Sequence, residues 1–143
     1  MYRVLVAVDT EMEAPERIAE AVTSLPAADS DVEVTLLNVF EEFNVTGPES
    51  GTVDSDDVYD ADDFPETVGI VREHLAEAGV SVSTVRRHGD TTDEILAEAG
   101  EMDADLVVIG GRKRSPVGKA MFGSVAQSVL LEIDRPVMYV QTD

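Results

Sequence analysis

Apolar and polar residues follow two repeats along this chain, one typical of β-strands and one typical of α-helices. Short runs rich in Val, Leu and Ile predict five strands, at 2–8, 32–40, 80–87, 105–110 and 136–141. Between these runs, apolar residues recur on one helical face and predict helices at 14–25, 65–78, from 91 onward and at about 119–132. This alternation predicts an α/β fold, with an open five-stranded parallel sheet and helices on both faces.

Local signals mark where several of these elements begin and end. Pro15 suits the first turn of its helix, and Gly79 suits the end of the next one. Thr91 and Glu94 have the Thr-x-x-Glu spacing of a capping box, which would begin the following helix. The run at 80–87 alternates apolar and polar residues, so we expect an edge or half-exposed strand there.

Residues 41–64 have no sustained period and are rich in Asp, Ser, Gly and Pro. We expect a variable acidic loop here, within a single domain that spans 1–143. Its acids lack the spaced ligands and the glycine of an EF-hand, and the two histidines of the chain lie in separate elements. No metal site is therefore predicted.

Composition narrows the class of protein. The 143 residues include no cysteine, which excludes disulfides, thiol catalysis and thiolate metal sites. No apolar run approaches the ~18 to 20 residues of a membrane span. The N-terminal residues lack the basic-then-apolar pattern of a secretory signal. We expect a soluble cytoplasmic protein that contacts no membrane.

The balance of charge is strongly acidic. Thirty Asp and Glu against ten Lys and Arg give a net charge of −20. Duplex nucleic acid is not an expected partner, because that binding depends on neutralising phosphates with basic side chains. Acidic, lysine-poor surfaces resemble those of proteins from salt-loving organisms, where concentrated salt screens self-repulsion. We hypothesise a halophilic protein; the alternative is an acidic protein from an ordinary habitat.

One stretch departs from this acidity. Residues 106–131 contain no Asp or Glu, although acids make up 30 of the 143 residues. Within it, GGRKRSPVGKAMFGS at 110–124 carries four positive charges. Glycines let backbone amides approach an anion closely, and the N-terminus of a helix attracts one, so the stretch predicts phosphate binding. The alternative is a solvent-facing turn whose basic residues offset neighbouring acids.

Two common phosphate motifs do not fit these letters. A P-loop ending at Gly118-Lys119 would need a glycine at 113 and a Ser or Thr at 120, where the chain has Lys113 and Ala120. A dinucleotide fingerprint would place Gly-x-Gly-x-x-Gly after the first strand, where the chain reads VDTEME. Both motifs are excluded.

The chain resembles the universal stress protein family over its whole length. The resemblance is carried by AVD at 7–9, LLNV at 36–39, HGD with EIL at 88–96, DLVVIGGR at 105–112, FGSVAQSVL at 122–130 and RPVMYV at 135–140. It implies a Rossmann-like fold, akin to the adenine nucleotide alpha hydrolases, with strand order 3-2-1-4-5. It also implies ATP or another adenine nucleotide, with Mg in some cases, across the carboxyl edge of the sheet.

The resemblance implies a role for individual residues at that edge. Ala7 and Asp9 would line the ribose and adenine side, and the Val39 backbone would meet the adenine. The floor and the phosphate site would be formed by Ile109, Gly110, Gly123, Ser124 and Val125. Lys113 stands where the family motif has its second glycine; with Arg112 it would contact phosphate. By its chemistry alone, Asp9 could accept from a ribose hydroxyl or cap the following helix.

The last strand is expected to form a dimer. Its edge would be unpaired unless another chain covers it, and related proteins pair it across a twofold axis. The residues predicted at this homodimer interface are Val137, Met138, Tyr139 and Val140.

The favoured function is a stress-response module that binds a nucleotide as a sensor. The alternatives are a nucleotide-free stress protein that works through dimerisation, and a slow ATP hydrolase in which Asp9 positions a metal. No catalytic residue is predicted.

Overall fold

The computed structural model describes residues 1–40, 64–111 and 123–142. Within these ranges the strands are β1 (Tyr2–Ala7), β2 (Val32–Phe40), β3 (Ser81–His88), β4 (Leu106–Gly111) and β5 (Val137–Gln141). The helices are α1 (Glu16–Thr23), α2 (Ala28–Asp31), α3 (Glu66–Glu77), α4 (Thr91–Glu101) and α5 (Ser124–Glu132). Nearly all of the predicted acidic loop lies outside the described residues, as does the start of the helix predicted from 119.

All five strands form one parallel sheet in the order β3-β2-β1-β4-β5, which confirms the predicted fold. β1 lies in the middle, where Val6 is in register with Leu36 on one side and Val108 on the other. The chain runs outward from β1 to β3 and then returns to the other side of β1 to form β4. A crevice is expected at this reversal, because the connections after β1 and β4 leave towards opposite faces of the sheet.

The two faces of the sheet carry separate apolar clusters. Val4 and Val6 of β1 pack with residues of α1 and α3, whereas Leu5 between them packs with residues of α4 and α5. Because both faces are covered, the central strands are almost continuously apolar rather than alternating. At the carboxyl ends of these strands, the clusters give way to the crevice described below.

Helix ends confirm one local prediction and correct another. Gly79 has φ +79°, and its N–H bonds to the carbonyl of Ala76 at 3.0 Å, so it ends α3 as predicted. The Thr91–Glu94 capping box is wrong. Asp90 occupies the cap of α4 and its carboxylate accepts from the N–H of Asp93 at 3.0 Å.

Among the described residues, the outer strands leave the sheet with two edges that no further strand covers. β3 is half-exposed at one edge, as its alternating pattern predicted. At the other edge, the carbonyl of Pro136 and the N–H of Thr142 bond to β4 at 3.0 and 2.9 Å. The backbone groups of Val137, Tyr139 and Gln141 therefore point away from the sheet, since successive residues of a strand alternate.

No helix in the described ranges combines the length and the apolar character needed to cross a bilayer.

Candidate functional site

Two clefts meet at the carboxyl edge of the sheet, beside the reversal of strand order. The first has a volume of about 730 Å³ and the second about 500 Å³. They share a boundary of six residues, namely Asp9, Glu11, Met12, Gly110, Val125 and Ala126. The clefts are therefore adjoining parts of one crevice between the ends of β1 and β4, with the start of α5 on its far side.

The structure brings together most of the residues that the sequence singled out. Those bordering the first cleft are Ala7, Asp9, Val39, Ile109, Gly110 and Val125. Those bordering the second are Asp9, Gly110, Gly123, Ser124 and Val125. Arg112 and Lys113 lie outside the described residues. The predicted interface residues are half-buried on β5, where Val137 and Tyr139 face one apolar cluster and Met138 and Val140 face the other.

The two clefts differ in chemistry. The apolar residues lining the first include Leu37 and Val39 from β2, Ile95 from α4 and Ile109 from β4. The second is bordered by small and polar residues at the first turn of α5, together with Glu11, Glu13 and Thr142. A flat apolar group suits the first cleft, and a group that accepts hydrogen bonds suits the amides at the start of α5.

Three glycines near the second cleft have different surroundings. A Cβ built at Gly110 would lie 2.9 Å from Ile18 Cδ1 and 3.2 Å from Met12 Cε, and one at Gly111 would lie 2.7 Å from Tyr139 Cζ. A side chain at either position would therefore force neighbouring side chains of the protein to move, namely the ends of Ile18 and Met12 at Gly110 and the ring of Tyr139 at Gly111. A Cβ at Gly123 would meet no atom of the described residues within 4 Å.

Gly123 occupies the cap position of α5 with φ −63° and ψ 163°, a conformation open to any residue. Neither backbone strain nor packing among the described residues explains a glycine here. The absence of a side chain leaves the first turn of α5 accessible from the second cleft. This is the arrangement in which a ligand can approach backbone N–H groups closely.

The turn after β1 is held by side chains that the sequence did not single out. Asn38 donates its amide hydrogen to the carbonyl of Val8 at 3.0 Å, and Thr67 donates its hydroxyl to the carbonyl of Asp9 at 2.6 Å. The Asn38 and Thr67 residues are only 3% and 8% exposed. Asp9 does not cap α1, because Pro15 holds that position and makes no side-chain cap bond. The ribose-side role therefore remains the prediction for Asp9.

Other cleft residues also escaped prediction. Met12 borders both clefts and Phe40 and Thr91 border the first, while Thr142 borders the second with 1% of its surface exposed. Phe40 and Thr91 could have been inferred, since they follow predicted elements whose ends lie at this edge of the sheet. Met12 has no such signal, because the segment after β1 shows no periodic pattern.

A cluster of charges lies beside the crevice, between β3 and α4. Arg87 donates from Nε to Glu94 at 2.6 Å and from an Nη atom to Glu101 at 2.7 Å, and Glu98 lies 3.8 Å away. The hydrogen bond to Glu94 and, as the next largest cause, the hydrogen bond to Glu101 raise the pKa of Arg87 above its ordinary value. These contacts tie α4, which carries Thr91 and Ile95 of the first cleft, to the edge strand.

Comparison with known sequences shows that this chain matches a single protein family over nearly its whole length. A sequence model of the universal stress protein family matches residues 1–141. A universal stress protein of Mycolicibacterium smegmatis is 46% identical over 72 residues, which are 50% of this chain and 55% of that protein. One of Bacillus subtilis is 36% identical over 70 residues, 49% of this chain and 47% of that protein. The chain thus spans about half the length of the curated relatives it matches.

Solved structures with the same fold include some that contain a bound nucleotide. A universal stress protein from Archaeoglobus fulgidus has a TM-score of 0.74 and 28% identity, covering 98% of both chains. One from the same organism in complex with dAMP has a TM-score of 0.71 and 23% identity, with 98% of both chains covered. An Arabidopsis thaliana family protein with AMP bound has a TM-score of 0.67 and 18% identity, covering 100% of this chain and 93% of that one.

Proposed function

Because the chain belongs to the universal stress protein family, we propose that it binds an adenine nucleotide along the carboxyl edge of its sheet. The adenine would lie in the apolar first cleft and the phosphates at the start of α5. The observation that carries this proposal is the continuity of the two clefts, which share Asp9, Gly110 and Val125. One ligand with an apolar end and an anionic end can occupy both.

Size and chemistry support this choice of ligand. The first cleft, at about 730 Å³, lies within the roughly 300 to 1,000 Å³ usual for small-molecule sites. Val39 and Ile109 border the part where a flat base would lie, and Asp9 borders both clefts, as a ribose between base and phosphate requires. The structural neighbours with dAMP or AMP have this fold, but at 23% and 18% identity they establish the fold alone.

The charge of the second cleft bears on which nucleotide binds. Asp9, Glu11 and Glu13 all border it, so an approaching phosphate meets three carboxylates as well as the amides of α5. Compensating cations are needed for a triphosphate there. We propose that ATP enters together with Mg²⁺, and that Arg112 and Lys113 add positive charge from the adjoining stretch. The resulting module would act as a sensor in a stress response, with a homodimer as its working form.

Calorimetric titration in molar KCl tests nucleotide binding. ATP is titrated with and without Mg²⁺, and AMP alone, into the wild type and Gly123→Val. The valine would project into the space beside the first turn of α5, so we expect affinity to fall roughly tenfold or more, about 1.4 kcal/mol. The matched control is Gly100→Val, which places the same side chain at an exposed helical position away from the clefts. Circular dichroism checks that both variants remain folded.

The outcomes separate the competing functions. Binding that is weakened by Gly123→Val and not by Gly100→Val supports the proposed site. An absence of heat with all three titrations would reject nucleotide binding and favour a protein that acts through dimerisation alone. Phosphate release from Mg-ATP, followed over hours, tests the remaining alternative of slow hydrolysis.

A further inference from the structure

The two hydrogen bonds at the β1 turn act on the peptide groups either side of one residue. The carbonyl of Val8, held by Asn38, belongs to the peptide plane before the Cα of Asp9. The carbonyl of Asp9, held by Thr67, belongs to the plane after it. Because peptide groups are planar, holding both carbonyls restrains both backbone dihedrals of Asp9. The direction of its Cα–Cβ bond is thereby restrained as well.

The sheet itself cannot provide this restraint. β1 ends at Ala7, and beyond it the N–H of Val8 still bonds to the carbonyl of Leu37 at 2.9 Å. The following carbonyls rely on side chains from β2 and α3, which approach from different parts of the chain. Both donors are buried, so these bonds are poorly exposed to competition from water. The Asp9 side chain, by contrast, belongs to an exposed residue at the shared boundary of the clefts.

We propose that Thr67 and Asn38 are positioning residues that aim the Asp9 carboxylate at the ribose hydroxyls of a bound nucleotide. This inference rests on the proposed function and specifies what the ribose part of the site recognises. Neither Thr67 nor Asn38 is among the described residues that line the two clefts. Their effect on the ligand is therefore transmitted through Asp9.

Thr67→Val tests the inference, because valine keeps the shape of threonine and removes the hydroxyl. AMP and 2′,3′-dideoxyadenosine 5′-monophosphate are each titrated into the wild type and the variant in molar KCl. We expect the affinity for AMP to fall about three- to tenfold, the range of one lost hydrogen bond. The affinity for the dideoxy analogue, which has no hydroxyl for Asp9 to accept from, should be the same in both proteins.

Four further variants serve as controls. Thr84→Val makes the same chemical change on β3, beside a separate groove, and should alter neither affinity. Thr67→Ser keeps a hydroxyl and should recover most of the AMP affinity. Asp9→Ala combined with Thr67→Val should lose no more AMP affinity than Asp9→Ala alone, because both changes remove the same contact.

The ligand comparison distinguishes positioning from a purely structural effect. Equal losses for AMP and the dideoxy analogue would show that Thr67 only supports the fold, and an unchanged AMP affinity in Thr67→Val would show that the hydroxyl is not needed. Either result overturns the inference and leaves nucleotide binding intact. If the wild type binds neither ligand, the proposed function fails and the inference fails with it. If Thr67→Val does not fold, the affinities of Thr67→Ala for the same two ligands are measured and interpreted in the same way.

Discussion

At the scale of single residues, the glycines of the crevice show how one residue type serves different purposes. Gly110 and Gly111 make room for Ile18 and Tyr139 of the same chain, whereas Gly123 faces open space among the described residues. The sequence predicted an anion site from all three, because a glycine-rich stretch looks the same in either case. The positions of the neighbouring side chains distinguish glycines that are closely packed within the protein from one that leaves room for a ligand.

Arg87 provides a residue-scale prediction about stability. We expect Arg87→Met to lower the free energy of unfolding by roughly 1 kcal/mol, since it removes a partly buried charged network and leaves three glutamates of α4 close together. Urea unfolding in dilute buffer measures the loss. In molar KCl the loss should shrink, because salt screens the remaining repulsion.

Two comparisons make the Arg87 prediction specific. Arg72→Met removes the same charge from α3, where Arg72 is exposed and has no ion pair among the described residues, and should have a smaller effect. Because the pKa of Arg87 is raised above its already high ordinary value, its contribution to stability is lost only as the pH rises through that raised pKa in strongly alkaline solution. The difference between wild type and Arg87→Met should therefore not change through titration of Arg87 between about pH 6 and 9. Equal effects of the two substitutions would contradict the network.

At the scale of elements, α3 and α4 end in the same motif with different residues. After α3, Gly79 has φ +79° and the N–H of Val80 bonds to the carbonyl of Leu75 at 3.0 Å. After α4, Asp103 has φ +52° and the N–H of Ala104 bonds to the carbonyl of Ala99 at 3.0 Å. A residue with a Cβ is strained in this left-handed conformation, so the second motif is less favourable than the first.

Exchanging the residue types should change stability in opposite directions. We expect Gly79→Ala to destabilise the protein by about 1 kcal/mol and Asp103→Gly to stabilise it by about 0.5 kcal/mol in molar KCl. High salt is required for the second test, because Asp103 also pairs with Arg135 at 3.0 Å, a contact that glycine removes and salt screens. Urea unfolding of both variants measures the changes. Destabilisation by Asp103→Gly in molar KCl would show that the ion pair outweighs the backbone strain.

The elements that the sequence predicted are those with a long or strongly apolar pattern. All five strands and the helices of the crossovers were anticipated, because buried strands and amphipathic helices leave a signal of several residues. The short helix Ala28–Asp31 has no apolar stripe and was missed. The cap of α4 was misassigned because Asp90 and Thr91 are both good capping residues. The sequence also did not reveal that Glu94 pairs with Arg87, because the two residues belong to different elements.

At the scale of the whole molecule, part of the candidate site follows from topology and part does not. Once strand order is known, Ala7, Val39 and Ile109 must meet at one edge, so the family resemblance sufficed to group them. Asn38 and Thr67 could not be found in this way. An asparagine within an apolar strand and a threonine in a helical first turn give no sequence signal of the carbonyls they contact.

The edge of β5, which no other strand of the described residues covers, leads to a prediction about assembly. We expect light scattering in molar KCl to give a mass about twice the 15.4 kDa of the chain. Gln141→Pro should weaken the dimer, because Gln141 is exposed and its backbone N–H points away from β4 towards a partner strand. Gln141→Ala, which keeps the N–H, is the control. A monomeric wild type would rule out the proposed homodimer.

Net charge leads to a prediction about the response of the whole chain to salt. We expect the temperature of thermal unfolding to rise as KCl is increased into the molar range, because screening reduces the self-repulsion of a chain with a net charge of −20. Sucrose at equal osmolality controls for the general effect of excluded solutes and should give a smaller rise. A fall or no change with KCl would argue against the halophilic interpretation.

The central position of β1 also determines when the crevice can exist. β1 meets β4 only after about a hundred intervening residues have been synthesised, since Arg3 on β1 bonds to Asp105 across a separation of 102 residues. Contacts this distant in sequence are slow to form during folding. Asp9 leaves the ribosome roughly a hundred residues before Gly110 and Ser124. The proposed nucleotide site is therefore incomplete until α5 has been synthesised, and a nascent chain that ends before α5 should not bind AMP.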